Sequence, residues 1–257
     1  MIVTAALIWY DERPEDLERC VRGMATIADR VIAVDGAYRR YPDAAISSPR
    51  EQADTIFRTA KEVGLDCMVH IPTRLWAGQV EKRSFTLAHA AAQSDWLAVV
   101  DADWIISGER EAARAELAEQ DSNVDVMTVN LYTPPGKEIA TGWHRDESGT
   151  RYRIAHLFRS LPGFQVEGSH WQYSAIRRGR RVWMWHGPDP RRKVLPQFPL
   201  QAKYEIEHRT LHRTHKQVLD SRAFCNDREL VVKLTGQEDD VPGLPPPNFD
   251  YRTLPYA

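Results

Sequence analysis

Two carboxylates one residue apart, Asp101 and Asp103, follow the apolar run Trp96-Leu97-Ala98-Val99-Val100. A short run of this kind, rich in valine, is the signature of a strand buried on both faces of a parallel sheet. Alternation along such a strand puts both aspartates on one face. Their Cα atoms would lie about 6–7 Å apart if the strand stayed regular. That is long for one ion gripped directly by both. One carboxylate would then hold a divalent cation while the other accepts from a ribose hydroxyl or a metal-bound water. Mg²⁺ and Mn²⁺ take such oxygen ligands and complete their shells with substrate phosphates and water. An Asp-x-Asp also ends strands and caps helices, so its neighbours have to decide.

Two further polar segments follow apolar runs: Trp9-Tyr10-Asp11 after residues 2–9, and Asp35-Gly36 after Val31-Ile32-Ala33-Val34. In open parallel α/β sheets, ligands bind beyond the carboxyl ends of the strands. Lys82 and Arg83 stand side by side, and an arginine fork suits phosphate oxygens. His208 and His212 are four apart, one face of a helix if a helix forms there, but without the HExxH pattern of zinc proteases. Asp146 and Asp189, in expected loops, are candidate bases. Trp143, Trp171, Trp183 and Trp185 could stack on sugar rings or simply pack.

These residues need a scaffold. The helix expected from Pro14 carries Glu15 and Asp16 in its first turn and Leu17, Cys20, Val21, Met24 and Ile27 at helical spacing. Strand, helix and strand within about 35 residues make a βαβ unit with a right-handed crossover. Helices are expected over Glu51–Val63, Val80–Gln93 and Glu109–Glu119, and strands over Asp66–Ile71, 96–100 and Val124–Tyr132. Beyond Pro134 the rhythm gives way to short strands at Arg153–Phe158, Phe164–Glu167 and Arg181–Trp185. A helix is expected over His215–Leu234, then a Pro-rich tail.

Hydrophobic residues at 42% and charged residues at 27% allow a core of ordinary size. A formal net charge of -2 creates no field that would gather nucleic acid or an anionic membrane. Three cysteines without a CxxC pair argue against a disulfide framework or a zinc-thiolate site and suit a reducing compartment. With no run near 18 apolar residues, the expectation is a cytoplasmic protein without a membrane segment.

Several blocks, in order, resemble the family 2 glycosyltransferases and their relatives of GT-A fold. They are Ala5–Cys20, Ile27–Asp35, Trp76-Ala77-Gly78, Lys82-Arg83-Ser84 and Ser94–Asp103. More loosely, Leu157-Phe158-Arg159, Glu167-Gly168-Ser169-His170 and Ile206-Glu207-His208 with Lys216 and Arg222 follow. The resemblance implies an α/β, Rossmann-like, mainly parallel sheet flanked by helices. Residues 1–133 would bind the donor. Residues 134–240 would form a smaller acceptor-side and metal-completing region, and 241–257 the tail.

It also implies metal-dependent transfer of a sugar, with inversion, from a nucleoside diphosphate sugar to a hydroxyl acceptor. A UDP-sugar stands ahead of other donors. Asp35 would meet a nucleobase N–H and Arg83 (or Lys82) the diphosphate. Asp101 would reach the ribose or the metal shell. Asp103 would bind Mn²⁺ or Mg²⁺, with His208 and His212 as further ligands. Glu167 or His170 would be the base. The sequence departs from the family at Ala37-Tyr38 in the donor loop, at Ser84, at Trp104 after the aspartates and at Trp171. Two other readings stay open. One is a nucleotidyltransferase, although residues 9–14 lack its Gly-rich loop. The other is a non-catalytic nucleotide- or glycan-binding module.

Overall fold

The structure is a computed structural model that describes residues 1–39, 45–134, 150–167, 172–185 and 194–209. The first half alternates as expected. Strand β1 (Val3–Ile8) leads through helix α1 (Pro14–Met24) to β2 (Arg30–Val34). Helix α2 (Arg50–Glu62) leads to β3 (Asp66–His70), and α3 (Gln79–Ala91) to β4 (Trp96–Asp101). Pro14 opens α1 with Glu15 and Asp16 in the first turn and Arg22 in the last, each charge complementing the helix dipole. Leu17, Cys20, Val21 and Met24 form its buried stripe.

Strands β3, β2, β1 and β4 lie side by side in that order, all parallel. The sheet then turns mixed. Next to β4 comes antiparallel β7 (Thr150–Arg159), then β6 (Val126–Thr133), β12 (Tyr204–His208) and β5 (Trp104–Gly108). Strand β12 runs parallel to β6 and antiparallel to β5, and β11 (Gln197–Pro199) also pairs with β6. Helix α4 (Arg110–Glu119) follows β5. A separate small antiparallel sheet holds β8 (Gln165–Val166), β9 (Tyr173–Arg177) and β10 (Arg180–Trp185).

Cores lie on both faces of the large sheet. Alternate residues Val3, Ala5 and Leu7 of β1, and Trp96, Ala98 and Val100 of β4, pack with Leu17, Met24 and Ile56 of α1 and α2. Ala6 of β1, and Leu97 and Val99 of β4, face Leu87 and Ala90 of α3 and Phe164 and Tyr173 at the small sheet. Each fully buried leucine or valine here contributes about 1.5–3 kcal/mol. The fold is therefore the expected α/β, Rossmann-like one with a mainly parallel sheet.

Strands β5, β9, β11 and β12 had no counterpart in the expected elements. His208 ends a strand, so the helical reading of its spacing to His212 is corrected. His212 itself and the helix expected at 215–234 lie outside the described residues, as do His170, Asp146, Asp189, Trp143 and Trp171. No helix among the described residues is long and apolar enough to cross a membrane.

Candidate functional site

The ladder between β4 and β7 explains why the end of β4 is open. It pairs Trp96 with Arg159, Leu97 with Phe158 and Ala98 with Leu157, then stops. Opposite this point β7 carries a bulge against β6, where Met127 pairs with Leu157 but Thr128 with Ala155. His156 is the extra residue, and bulges re-aim side chains in this way. Its Nδ1 donates to the Val99 carbonyl at 2.9 Å, and its Nε2 accepts from the Tyr204 hydroxyl of β12 at 2.9 Å. Burial drives its pKa down to about 4, only partly countered by the Val99 bond and Asp101. The ring is neutral and structural. Among the described residues, β4 from Val99 to Asp101 keeps only its β1 neighbour.

Beyond Asp101 the regular strand ends and a turn carries the chain across to β5 at the far edge of the sheet. The two aspartates consequently meet different partners. Asp101 forms an ion pair with Arg83 of α3. Arg83 is 4% exposed and lies near Tyr173 of the small sheet. Burial opposes the guanidinium charge, but Asp101 with Tyr173 and Tyr38 together outweigh it and hold Arg83 above its ordinary value. Asp103, 8% exposed, lies with Oδ2 3.1 Å from Nε2 of His208. Pairing of His208 with Trp104 across β12 and β5 delivers the imidazole, and the Arg209 amide donates to the Asp103 carbonyl. Trp104 stands edge-on to His208 at 6.4 Å and 5.9 Å from His156. Below the turn, the Cys20 thiol of α1 points to the Asp101 carbonyl at 3.6 Å. Burial, with Asp103 and Asp101 nearby, keeps that thiol protonated.

Asp35 is 1% exposed beyond β2. Its Oδ2 accepts from the Ser48 amide at 2.7 Å and its Oδ1 from the Ser48 hydroxyl at 2.5 Å. Burial raises its pKa, while Ser48 and Lys82 pull it back. The same hydroxyl accepts from the amide of Asp11, whose φ of 51° is left-handed. Gly36, at φ 109°, is needed in its place, since a Cβ there would meet Pro72 Cγ at 2.4 Å and Trp76 Nε1 at 2.9 Å. Lys82 does not reach outward. Its Nζ donates to the carbonyls of Trp9, at 2.6 Å, and Gly36, at 2.7 Å.

Glu167 belongs to the small sheet. Its Oε1 accepts from Ser174 at 2.5 Å, from Gln165 at 2.9 Å and from Arg181 at 3.2 Å. A carboxylate oxygen with three donors is engaged in holding strands together. The structure therefore brings Asp103 to His208 and Asp101 to Arg83, ties Asp35 to Ser48, and occupies Glu167 locally. Ser48, Tyr173, His156 and Tyr204 were not among the candidates. Nothing in their local sequence marks them, because their partners lie tens of residues away.

No family model matches the chain, and no curated protein does. Among solved structures it is similar to a 4-diphosphocytidyl-2C-methyl-D-erythritol synthase from Anaerococcus prevotii. The identity is 10% over 62% of this chain and 71% of that one, with a TM-score of 0.34. It is also similar to a mannose-1-phosphate geranyltransferase from Thermus thermophilus. Here the identity is 13% over 91% of this chain and 67% of that one, with a TM-score of 0.31. Likenesses this loose leave the reading of the site to its own residues.

Proposed function

We propose that this protein is a metal-dependent transferase of the GT-A type that moves a sugar from a nucleoside diphosphate sugar to a hydroxyl acceptor. One observation carries the reading: Asp103 and His208, 105 residues apart in sequence by subtraction of their numbers, meet at 3.1 Å beyond the carboxyl end of β4. A carboxylate oxygen and an imidazole nitrogen are ligands that Mn²⁺ accepts. Their spacing fits two adjacent ligands each about 2.1 Å from an octahedral ion, which stand about 3 Å apart. Such an ion would neutralise charge on the departing diphosphate. Asp101 would then serve less as a ligand than as the counter-ion that keeps Arg83 pointed at the same edge, where a diphosphate would need a cation. Under this reading residues 1–133 would be the donor-side region and residues 134–240 the acceptor-side and metal-completing one.

The test is a thermal-shift panel of UDP, GDP, ADP, CMP and TDP with and without Mn²⁺, on wild type and Asp103→Ala. A ligand that binds only the folded state raises its melting temperature. A Mn²⁺-dependent shift with one nucleotide, absent in Asp103→Ala, is the expected outcome. Shifts that ignore Mn²⁺ or survive the substitution would sink the metal assignment. The internal partners of Asp35 and Arg83 favour a second reading, a binding module without turnover. Under that reading nucleotide would bind but no donor sugar would be released from any nucleoside diphosphate sugar.

A further inference from the structure

Lysine is rarely buried without a carboxylate partner, yet Lys82 is 1% exposed and its two hydrogen bonds go to backbone carbonyls. Those carbonyls are informative. Trp9 directly follows β1 and Gly36 lies just beyond β2, so one ammonium joins the ends of two neighbouring strands to the first turn of α3. The ring of Tyr38, in the loop after Gly36, lies 5.4 Å from the nitrogen. Ser48 joins the same two loops a second time, through the Asp11 amide and the Asp35 carboxylate. Both loops border the candidate site, and Arg83 is the next residue on the helix.

We propose that Lys82 is a positioning residue: its ammonium clasps the loops after β1 and β2 at a fixed spacing and so shapes the wall of the nucleotide site. The part of this concerning nucleotide rests on the function proposed above; the clasp itself does not. The charged groups that face the ammonium are Asp35 beyond β2, Glu12 beyond β1 and Arg83 on its own helix. Burial lowers its pKa to about 7, Asp35 pulls it back up, and Arg83 pushes it down. Below that value the clasp is charged. Above it the amine keeps N–H donors for both carbonyls, and the clasp no longer carries the cost of a buried charge.

Amide hydrogen exchange tests the clasp without any ligand. The probes are the amides of Trp9, Asp35, Ala37 and Arg39, which bond Val34, His70, Ile46 and Trp76. The amide of Ala28, bonded to Met24 at the end of α1, is the control. After correction for intrinsic exchange, opening of the probe amides in wild type should fall several-fold between pH 6 and pH 8.5, because opening returns the amine to water and to its ordinary pKa, and the control should not follow. Lys82→Met should lack the protection that wild type gains at pH 8.5 and abolish the dependence, and Lys82→Arg, charged throughout, should show no dependence either. Flat wild-type profiles would overturn the proposal even if neither variant folds. Titration calorimetry with UDP and Mn²⁺ forms the second arm. Its affinity should strengthen with pH in wild type and be flat in Lys82→Met, lower than wild type at pH 8.5. If UDP fails to bind while the exchange result holds, the clasp stands and the nucleotide function falls.

Discussion

Lys82 couples stability to pH in the same direction as its effect on the loops. Its pKa in the fold, about 7, is below the ordinary 10.5. Between those values the unfolded chain binds a proton that the folded chain does not, so stability rises with pH. The cost of burying the charge is fully present below pH 7 and lifts as pH climbs. Melting temperatures from pH 7 to pH 9 should therefore rise in wild type relative to Lys82→Met, the difference between the two isolating this group. Cys67, whose thiol burial pushes up to about 11, acts the other way only near and above pH 9. Sequence made the aspartates visible, because an apolar run that stops at a polar doublet is a local pattern. The buried lysine was not legible in the same way. An ammonium on an amphipathic helix reads as solvated, and the carbonyls that receive it belong to residues 9 and 36.

At the scale of elements, the helices and parallel strands were legible because each carries its own period and its own start signals. Strand β5 was not, since Trp104-Ile105-Ile106-Ser107-Gly108 is a short stretch wedged between a turn and a helix. Only pairing with β12 makes it a strand. Its neighbour on the other side is α1, and the contact is unusually close. A Cβ at Gly23 would meet the backbone nitrogen and oxygen of Ile106, each at 2.7 Å. Gly23→Ala gains about 1 kcal/mol of helix propensity, but backbone cannot swing aside as a side chain can. The substitution should destabilise the protein by about 1–3 kcal/mol net, read as a lower denaturant midpoint with unchanged slope. A stabilised Gly23→Ala would show that α1 and β5 are less tightly packed than described.

Across the whole molecule, the bulge in β7 joins events that are far apart in sequence. His156 takes the Val99 carbonyl that the β4 ladder abandons, and Tyr204 reaches over from β12 to complete the ring's bonds. Tyr204→Phe removes the donor and leaves a buried imidazole nitrogen unsatisfied, a loss of about 1–3 kcal/mol. Chemical denaturation should show that loss, while His156→Phe with Tyr204→Phe should lose less than the two single changes added. Such non-local bonding is why β9, β11 and β12 resisted reading. Those strands are defined by partners rather than by their own pattern.

The position of β12 carries a further consequence. It is the strand latest in sequence among those described, yet it sits inside the sheet, between β6 and β5. A nascent chain emerging from the ribosome presents the parallel neighbours β1 to β4 first, while β5 waits for its pairing partner until residues 204–208 are free. The same late arrival brings His208 to Asp103. Synthesis order thus separates the parallel strands from this contact: the imidazole is made 105 residues after the carboxylate that it meets, 208 less 103.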